Sequence, residues 1–528
     1  MSYDYIIVGG GSAGCVLANR LSADGQVKVL LLEAGKPDKH PFIHMPVGFA
    51  KMTSGPFTWG YSTVPQKHAN NRVIPYAQGR VIGGGSSINA EVFTRGHPTD
   101  YDRWANEEGC PGWSFAEVQP YFVRSENNEV LSNAYHGIDG PLGVSNQRDP
   151  APATRAFVQS CQQLGMPYNP DFNGATQAGA GFYQLTVKDG KRCSAAVGYL
   201  KPALQRPNLT LRTEAQTRRI VFEKNRAVGV ELVQGDSTEI IRAKREVIVS
   251  AGAIGSPKLL LLSGVGPADA LRKLGIEVVA DLPGVGENFS DHFGVDIVYE
   301  LSGAYSYDKY NKPWWAAWAG LQYLLFKSGP VVSNIVEGGA FTFSDPALTV
   351  PDLQFHFLAG AGVEAGVPAI ASGSGCTMNS YVVRPKSRGS VKLQSADFRQ
   401  APLIDPNFIA DPDDLRVAAE GVRISREIMQ QQAFAKYIRR EHFPGESVSG
   451  TNALKEYVKQ YGRTSYHPNG TCKMGQDAMA VVDPQLRVRG IEGLRVIDSS
   501  IFPSLIGSNT NAPTIMVAEK GADLVRSA

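Results

Sequence analysis

The sequence has no run of about 18 uncharged apolar residues, so no membrane-spanning helix is predicted. It has no long run of charge of one sign either, because 52 basic and 50 acidic side chains are interleaved and leave a formal net charge of +2. A nucleic-acid partner is therefore not expected. The six cysteines include no CxxC pair and no metal-like spacing, which favours buried reduced thiols over disulfides or a metal site.

The N-terminus has no basic segment followed by an apolar signal and begins with a strand-like run at 3–8. We therefore expect a cytoplasmic protein, with peripheral membrane association as the alternative. The most apolar stretch, 313–326, contains Trp314, Trp315 and Trp318 but is too short to span a bilayer. Its composition favours a buried helix or a cleft wall over contact with a membrane surface.

The length of 528 residues exceeds that of one ordinary core and predicts two lobes with a cleft between them. Strand and helix patterns alternate at both ends of the chain, whereas the middle resembles a separate sheet with helices. The predicted class is α/β, and α+β overall. A cofactor domain is expected at 1–155, 215–300 and 476–528, and a substrate domain at 156–214 and 301–475.

Gly9, Gly11 and Gly14 form a GxGxxG motif between a predicted strand and a predicted helix. The first glycine permits a tight turn, the second lets a pyrophosphate approach the backbone, and the third lets the helix contact the strand. Glu33, at the end of the next predicted strand, is placed to bind ribose hydroxyls and would repel the 2′-phosphate of NADP. The pattern predicts dinucleotide binding but does not separate NAD from FAD.

A second glycine cluster at 79–89 has exposed backbone amides, hydroxyls and a side-chain amide, and this loop could lie along a flavin and its ribityl chain. This cluster with 95–96, the segment 252–266, the turn 283–292, and the ending from 466–475 through 509–516 resemble the glucose–methanol–choline (GMC) oxidoreductase family. The four motifs occur in the family's order over nearly the whole chain. The resemblance implies an FAD enzyme that oxidises alcohols, with a Rossmann-like domain assembled from discontinuous segments and a substrate domain that combines a mixed or antiparallel sheet with helices.

The resemblance places the catalytic base at His467. The chemistry agrees, since neutral imidazole can accept the hydroxyl proton while hydride leaves the same carbon. It places the amide that donates to the alcohol oxygen at Asn511 in preference to Asn509, with a helix N-cap as the structural alternative for Asn511. Ile88 stands where some family members carry the histidine that links FAD covalently. Noncovalent FAD is therefore expected, and no metal.

Further contacts to FAD are expected along the glycine motifs and the C-terminal segments. The expected set is Gly9, Gly11, Ser12, Ala13, Gly14, Glu33, Ala34, Arg80, Gly84, Gly85, Ser86, Asn89, Ala90, Asp498, Ser499, Asn509 and Thr510. For Asp498, a strand-end carboxylate that caps a turn is the structural alternative.

The resemblance is strongest to the L-sorbose dehydrogenases of the family, which implies a sugar or polyol substrate and a dye, a quinone or another acceptor in place of oxygen. Dehydrogenation of primary alcohols or choline is the alternative, and a hydroxynitrile lyase-like flavoprotein is the alternative from another class. Substrate contacts are expected among polar residues of the second lobe, each of which could equally be an ordinary strand or loop residue: Ser333, Asn334, Glu337, Asn379 and Tyr381.

Overall fold

The computed structural model describes residues 2–364, 366–371 and 373–528. Its first sheet has seven strands. The strand Ser2–Val8 pairs in parallel with Val29–Leu32 on one side and with Ser237–Val249 on the other. The order across the sheet is Leu209–Arg212, Val29–Leu32, Ser2–Val8, Ser237–Val249, Arg226–Gln234 and Gln216–Glu223, and Leu494–Val496 also pairs with Ser237–Val249.

The first strands and helix form the βαβ unit that the glycine motif predicts. Ser2–Val8 ends at Gly9, the helix Ser12–Leu21 follows, and Val29–Leu32 returns parallel to the first strand. All four residues of Val29–Leu32 are buried, which is typical of a parallel strand covered on both faces. The C-terminal helix Asn511–Arg526 packs against Ser12–Leu21, so the two ends of the chain complete one core.

The second sheet is antiparallel and also has seven strands. Its order is Ile438–Phe443, Phe293–Leu301, Gly375–Val382, Leu353–Leu358, Val336–Thr342 and Gly179–Phe182, and Arg463–Thr464 also pairs with Phe293–Leu301. Every residue of Phe293–Leu301, Leu353–Leu358 and Gly375–Val382 is buried, and a second apolar core lies against them. Pro152–Gln163 and Pro412–Met429 pack on this sheet.

Short elements connect the two sheets. The remaining α-helices are Pro41–His44, Pro98–Asn106, Phe115–Ser125, Lys201–Ala203, Gly252–Leu262, Ala268–Lys273, Pro313–Phe326, Gln432–Ala435 and Thr451–Tyr461. Short 3₁₀ helices occur at Pro46–Lys51, Gly84–Ser87, Tyr307–Asn311, Pro330–Val332 and Ser499–Ile501, and a π turn occurs at Ala196–Leu200. Two-stranded ladders pair Tyr61–Ser62 with Pro75–Tyr76, Val92–Phe93 with Gln184–Leu185, Glu126–Asn128 with Leu142–Val144, Val187–Lys188 with Lys191–Arg192, Val265–Gly266 with Ala280–Asp281, and Ser390–Lys392 with Leu403–Asp405.

This architecture confirms the predicted α/β class with a second, antiparallel sheet. Two strands lie across the expected domain boundaries. Leu209–Arg212, expected in the substrate domain, forms an edge of the first sheet. Phe293–Leu301, assigned almost entirely to the cofactor domain, is an interior strand of the second sheet. The sheet to which a strand belongs is fixed by its backbone pairing, which the composition of a short apolar run does not reveal.

The apolar stretch forms the helix Pro313–Phe326, but the expectation that it is buried is wrong. Only Ala319 and Tyr323 are buried, and its large side chains face outward. Composition predicted burial because an all-apolar helix ordinarily needs cover, and here the rest of the chain supplies little of it. Among the described residues, no helix combines the length and apolar character needed to cross a membrane. All six cysteines are buried and unpaired, as the sequence predicts.

Candidate active site

One cavity runs between the two lobes, and both contribute to its lining. Its first-lobe wall contains most of the expected cofactor contacts: Gly9, Gly11, Ser12, Ala13, Glu33, Ala34, Gly84, Gly85, Asn89, Ala90, Asp498, Ser499, Asn509 and Thr510. The far end is lined by Ala215, Thr217, Leu262 and Phe398. The end near the second sheet is lined by Val336, His356, Glu364, Asn379, Tyr381, Tyr466 and His467.

The first glycine motif forms a backbone cradle at the start of a helix. Gly9 has φ +106°, and a Cβ on Gly14 would lie 1.9 Å from the carbonyl oxygen of Gly9, so neither position admits a side chain. A Cβ on Gly11 would meet nothing closer than the Cα of Gly84 at 4.0 Å, because this position faces the cavity. No side chain caps the helix Ser12–Leu21, which leaves its first amides for an anion.

Glu33 lies in this cradle and accepts hydrogen bonds from two backbone amides. Its Oε2 accepts from the nitrogen of Gly10 at 2.8 Å and its Oε1 from that of Gly35 at 2.6 Å. Burial raises the pKa of Glu33 to about 7, and the two amides oppose this shift. The carboxylate is thus fixed in place at the end of Val29–Leu32, where the ribose contact was expected.

The second glycine cluster lies against the first. Gly83 and Gly84 have φ +87° and +53°, and a Cβ on Gly84 would come within 2.8 Å of the Cα of Gly11. Because of this close approach, the two glycine segments line the same part of the cavity.

Asp498 also lines the cavity. Its Oδ2 accepts from the backbone nitrogen of Gly252 at 2.9 Å and from the Oγ of Ser256 at 2.5 Å.

Three expected cofactor residues do not line the cavity: Gly14, Arg80 and Ser86. Gly14 packs against Gly9 inside the turn. The guanidinium of Arg80 lies 4.7 Å from the ring centre of Trp59, and the Oγ of Ser86 donates to the carbonyl of Gly83 at 2.6 Å. Their place in the motif is structural, since they fix the loops whose other residues line the cavity.

His467 lies on the cavity wall next to Asn509, whose Nδ2 is 3.2 Å from the Nε2 of His467. The Oδ1 of Asn509 accepts from Thr94 at 2.9 Å and from Gln354 at 3.0 Å, which directs the amide nitrogen toward the histidine. The preference for Asn511 as the donor to the alcohol stays a prediction, and the structure places the other asparagine beside the histidine. Asn511 is the first residue of the last helix, and its Oδ1 accepts from the Oγ of Ser12 at 2.8 Å instead.

A chain of hydrogen bonds fixes the tautomer of His467. The Nε2 of His292 is 3.0 Å from the carbonyl oxygen of Ile506, an acceptor only, so this nitrogen carries the proton. The Nδ1 of neutral His292 is therefore an acceptor, and it lies 3.0 Å from the Nδ1 of His467. His467 consequently carries its proton on Nδ1 and presents the lone pair of Nε2 beside Asn509.

Both histidines are neutral over the physiological range. Burial lowers the pKa of His292 to about 4. Burial, together with His292 and His356 nearby, lowers the pKa of His467 well below its ordinary value. Asp291 holds the backbone of His467, because its Oδ1 accepts from the amide nitrogen of His467 at 2.8 Å while Tyr76 and Thr464 donate to its Oδ2.

The expected substrate residues fall into two groups. Asn379 and Tyr381 line the cavity, whereas Ser333, Asn334 and Glu337 do not. Glu337 is fully buried and accepts from the amide of Ala151 and the hydroxyls of Thr154, Tyr307 and Ser333. The Nδ2 of Asn334 donates to the carbonyl of Ala90 at 2.5 Å. The polar groups of these three side chains form hydrogen bonds within the protein and do not face the cavity.

The chain matches two models of the GMC oxidoreductase family, over residues 3–294 and 385–518. The chain is a GMC oxidoreductase. Its relatives include alcohol dehydrogenase [acceptor] from Pseudomonas putida, 43% identical over 99% of this chain and 95% of the relative, and oxygen-dependent choline dehydrogenase from Sinorhizobium fredii, 45% identical over the same shares. Neither is an L-sorbose dehydrogenase.

Solved structures of other proteins share the fold over the whole chain. Pyridoxine 4-oxidase from Mesorbium loti has a TM-score of 0.91 at 30% identity and covers 100% of both chains. A variant formate oxidase from Aspergillus oryzae, studied for FAD modification, has a TM-score of 0.94 at 27% identity and covers 100% of this chain and 98% of its own. This GMC oxidoreductase is a flavoprotein with FAD as cofactor, and the cradle of Gly9, Gly11, Glu33 and Gly84 fits a dinucleotide.

Among the residues of the site that were not singled out from the sequence are His292, His356 and Glu364. His356 interrupts the apolar strand Leu353–Leu358, which was the signal available, and its Nε2 and the Nδ2 of neighbouring Asn379 have no partner although both are buried. Glu364 lies in the irregular segment after the strand Leu353–Leu358, and no sequence pattern identifies it. His292 belongs to a family motif, but its contact with His467 depends on the fold.

Proposed function

We propose that this GMC oxidoreductase is an FAD-dependent dehydrogenase of neutral primary alcohols. The pairing of His467 Nε2 with Asn509 Nδ2 at the cavity wall carries the proposal. An alcohol oxygen between these atoms would be able to give its proton to the lone pair of Nε2 while it accepts a hydrogen bond from Nδ2. FAD, when bound, supplies the acceptor for the hydride that leaves the same carbon.

His467 acts as the base, and the chain keeps it ready for that role. The Nδ1 proton, donated to His292, holds the lone pair on Nε2, and Asp291 fixes the backbone. When His467 accepts the substrate proton, its imidazole becomes a cation. The buried surroundings disfavour this charged form, so they favour release of the proton. We propose Asn509, in place of Asn511, as the donor to the developing alkoxide.

The charges at the substrate end favour a neutral alcohol over choline. Glu364, the carboxylate that lines this end, is paired with Arg463, which also binds Asp296 through two hydrogen bonds of 2.6 and 3.0 Å. Burial raises the pKa of Glu364, which favours its uncharged form. The face of Trp59 is taken by Arg80. Glu91, a further carboxylate on the cavity wall, faces Arg192 at 3.3 Å. An ammonium group would thus find both carboxylates already opposite a guanidinium, and one face of Trp59 already covered.

Choline is the second candidate, because choline dehydrogenases are as similar to this chain as the alcohol dehydrogenase. The expected sugar substrate has less support: only Asn379 and Tyr381 of the proposed polar contacts line the cavity. We propose a dye or quinone as acceptor, in agreement with the name of the Pseudomonas putida relative. Noncovalent FAD follows from Ile88, which lines the cavity and has no atom for a covalent link.

An anaerobic reduction screen tests the proposal. The FAD-loaded protein is mixed with primary alkanols, choline, L-sorbose and D-sorbitol, and bleaching of the flavin is followed before oxygen or a dye is admitted. We expect the alkanols to bleach the flavin fastest, and to give the highest kcat/KM once the dye is present. The colour of the oxidised flavin should return faster with the dye than with oxygen. Bleaching by choline or L-sorbose alone would reassign the substrate. Cleavage of a cyanohydrin without any bleaching would indicate the lyase alternative.

Replacement of His467 separates base catalysis from binding. His467→Ala should keep FAD but lose at least about a hundredfold in the rate of flavin reduction, because general base catalysis contributes that much. Full turnover by the FAD-loaded His467→Ala variant would contradict the proposed role.

A further inference from the structure

The helix Pro313–Phe326 is apolar on all sides but largely uncovered. Seven of the eighteen exposed large apolar side chains in the described residues belong to it: Trp314, Trp315, Trp318, Leu321, Leu324, Leu325 and Phe326. Phe326 is 71% exposed and Leu324 68%. A contiguous patch of this kind on a water-facing surface marks a contact with a partner or a membrane. We call these seven residues the apolar patch.

The two ends of the helix carry positive charge. Lys309 and Lys312 precede it and Lys327 follows it, and within the described chain none of the three forms an ion pair. The ammonium groups of Lys309 and Lys327 lie over aromatic rings, 5.1 Å from the centre of Tyr310 and 4.4 Å from that of Tyr323. The lysines therefore remain free to contact an external anion.

The neighbouring charged groups leave this positive character in place. The turn at Gly190 lies against Lys327, and the exposed Lys188, Asp189 and Lys191 around it have one more positive than negative charge. The acidic groups nearby are engaged elsewhere. Asp308 is buried and accepts from backbone amides, Asp149 pairs with Arg155, and Glu129 pairs with Arg148.

We infer that the apolar patch and its flanking lysines dock the protein on an anionic lipid surface. Tryptophan prefers the boundary between lipid headgroups and acyl chains, and lysines near the ends of an apolar helix reach anionic headgroups. The helix has 14 residues, about 21 Å, and lies along the protein surface, so it enters the lipid sideways. The side that bears Ala319 and Tyr323 stays on the protein.

A second copy of this chain fits the patch less well. A twofold dimer through this helix would bring the lysines of one protomer close to those of the other, since both ends of the helix are positive. Like charges in such a contact repel, whereas an anionic bilayer neutralises all of them at once. The charge pattern thus selects lipid over self-association.

Vesicle sedimentation of the FAD-loaded full chain tests the inference. We expect the protein to pellet with vesicles of phosphatidylcholine mixed with phosphatidylglycerol, and much less with phosphatidylcholine alone. The variant Trp318→Gln/Leu324→Gln/Phe326→Gln should lower partitioning by at least about tenfold. The matched control Val73→Gln/Ile240→Gln removes side chains that are 56% and 53% exposed elsewhere and should bind as the parent does.

A second variant, Lys309→Gln/Lys312→Gln/Lys327→Gln, keeps the apolar patch and decides the question if the first variant fails to fold. It should lose about tenfold or more in binding to the mixed vesicles and lose the dependence on salt. Equal pelleting of the parent and both variants would overturn the inference, as would no pelleting of the parent at any phosphatidylglycerol content. Dimerisation without vesicle binding, abolished in the apolar variant, would assign the patch to a second copy.

Discussion

His292 and His467 face each other through their Nδ1 atoms at 3.0 Å, with the ring planes at 84°. Because the carbonyl of Ile506 fixes the proton of His292 on Nε2, the contact also fixes the proton of His467 on Nδ1. The position of a lone pair in the cavity thus depends on a backbone carbonyl two contacts away. His292 is a positioning residue, since it does not line the cavity.

Without the Nδ1 acceptor of His292, the proton of His467 should no longer be confined to Nδ1. In His292→Leu, we expect kcat to fall by about tenfold to a hundredfold with KM little changed, because part of the His467 population then carries its proton on Nε2. Flavin reduction under anaerobic conditions measures this directly. His292→Asn offers an Oδ1 acceptor and should recover part of the rate; equal losses in both variants at unchanged FAD content would argue for a purely structural role.

The two asparagines before the last helix should separate catalysis from cofactor binding. Asn509→Ala should reduce the rate of flavin reduction by about a hundredfold, as does loss of a donor to a developing oxyanion, with FAD retained. Asn511→Ala removes the acceptor for Ser12 and should chiefly weaken FAD binding. Stopped-flow reduction and the FAD content of the purified variants distinguish them. A larger loss of reduction rate in Asn511→Ala than in Asn509→Ala would restore the original assignment.

The choice between Asn509 and Asn511 shows where sequence reasoning stops. The motifs correctly predicted the α/β class, the GMC family and FAD, because the GxGxxG pattern and the C-terminal ending require particular backbone shapes. The side-chain direction of two asparagines in one short segment depends on where the helix begins, which neither residue type determines. The helix begins at Asn511 and turns that side chain toward Ser12.

The substrate lobe was less predictable for a related reason. Glu337 and Asn379 are both polar residues in strands, and only the pairing of those strands with their neighbours decides that Glu337 is satisfied inside and Asn379 faces the cavity. The helix Pro313–Phe326 illustrates the same limit, since composition records that its residues are apolar but not whether the chain covers them.

Two glycines of the first motif should respond differently to a methyl group. Gly11 has φ −77° and space for a Cβ, so Gly11→Ala should fold normally but place its methyl in the cavity and weaken FAD binding by about tenfold or more. Gly14→Ala would collide with the carbonyl of Gly9 and should lower the unfolding free energy by about 1–3 kcal/mol. Thermal unfolding of the FAD-free variants and titration with FAD separate the effects.

Gly25→Ala is the control for this pair, because a Cβ there meets nothing within 4 Å. It should leave both the FAD affinity and the unfolding temperature unchanged. If Gly11→Ala bound FAD as tightly as the control does, the cradle would not be the site of the pyrophosphate.

The pH dependence of catalysis should reflect the buried position of His467. Burial lowers its pKa well below 6.5, the ordinary histidine value, so the imidazole stays neutral as the pH falls through 6.5, and the acid limb of kcat/KM should lie well below that pH. Asp291 complicates this range, since burial raises the pKa of that carboxyl to about 7. The profile is therefore measured in the parent and in Asp291→Asn. An acid limb of kcat/KM near pH 7 that persists in Asp291→Asn would contradict this expectation. His467 would then titrate as an ordinary exposed histidine, and burial would not keep its imidazole neutral.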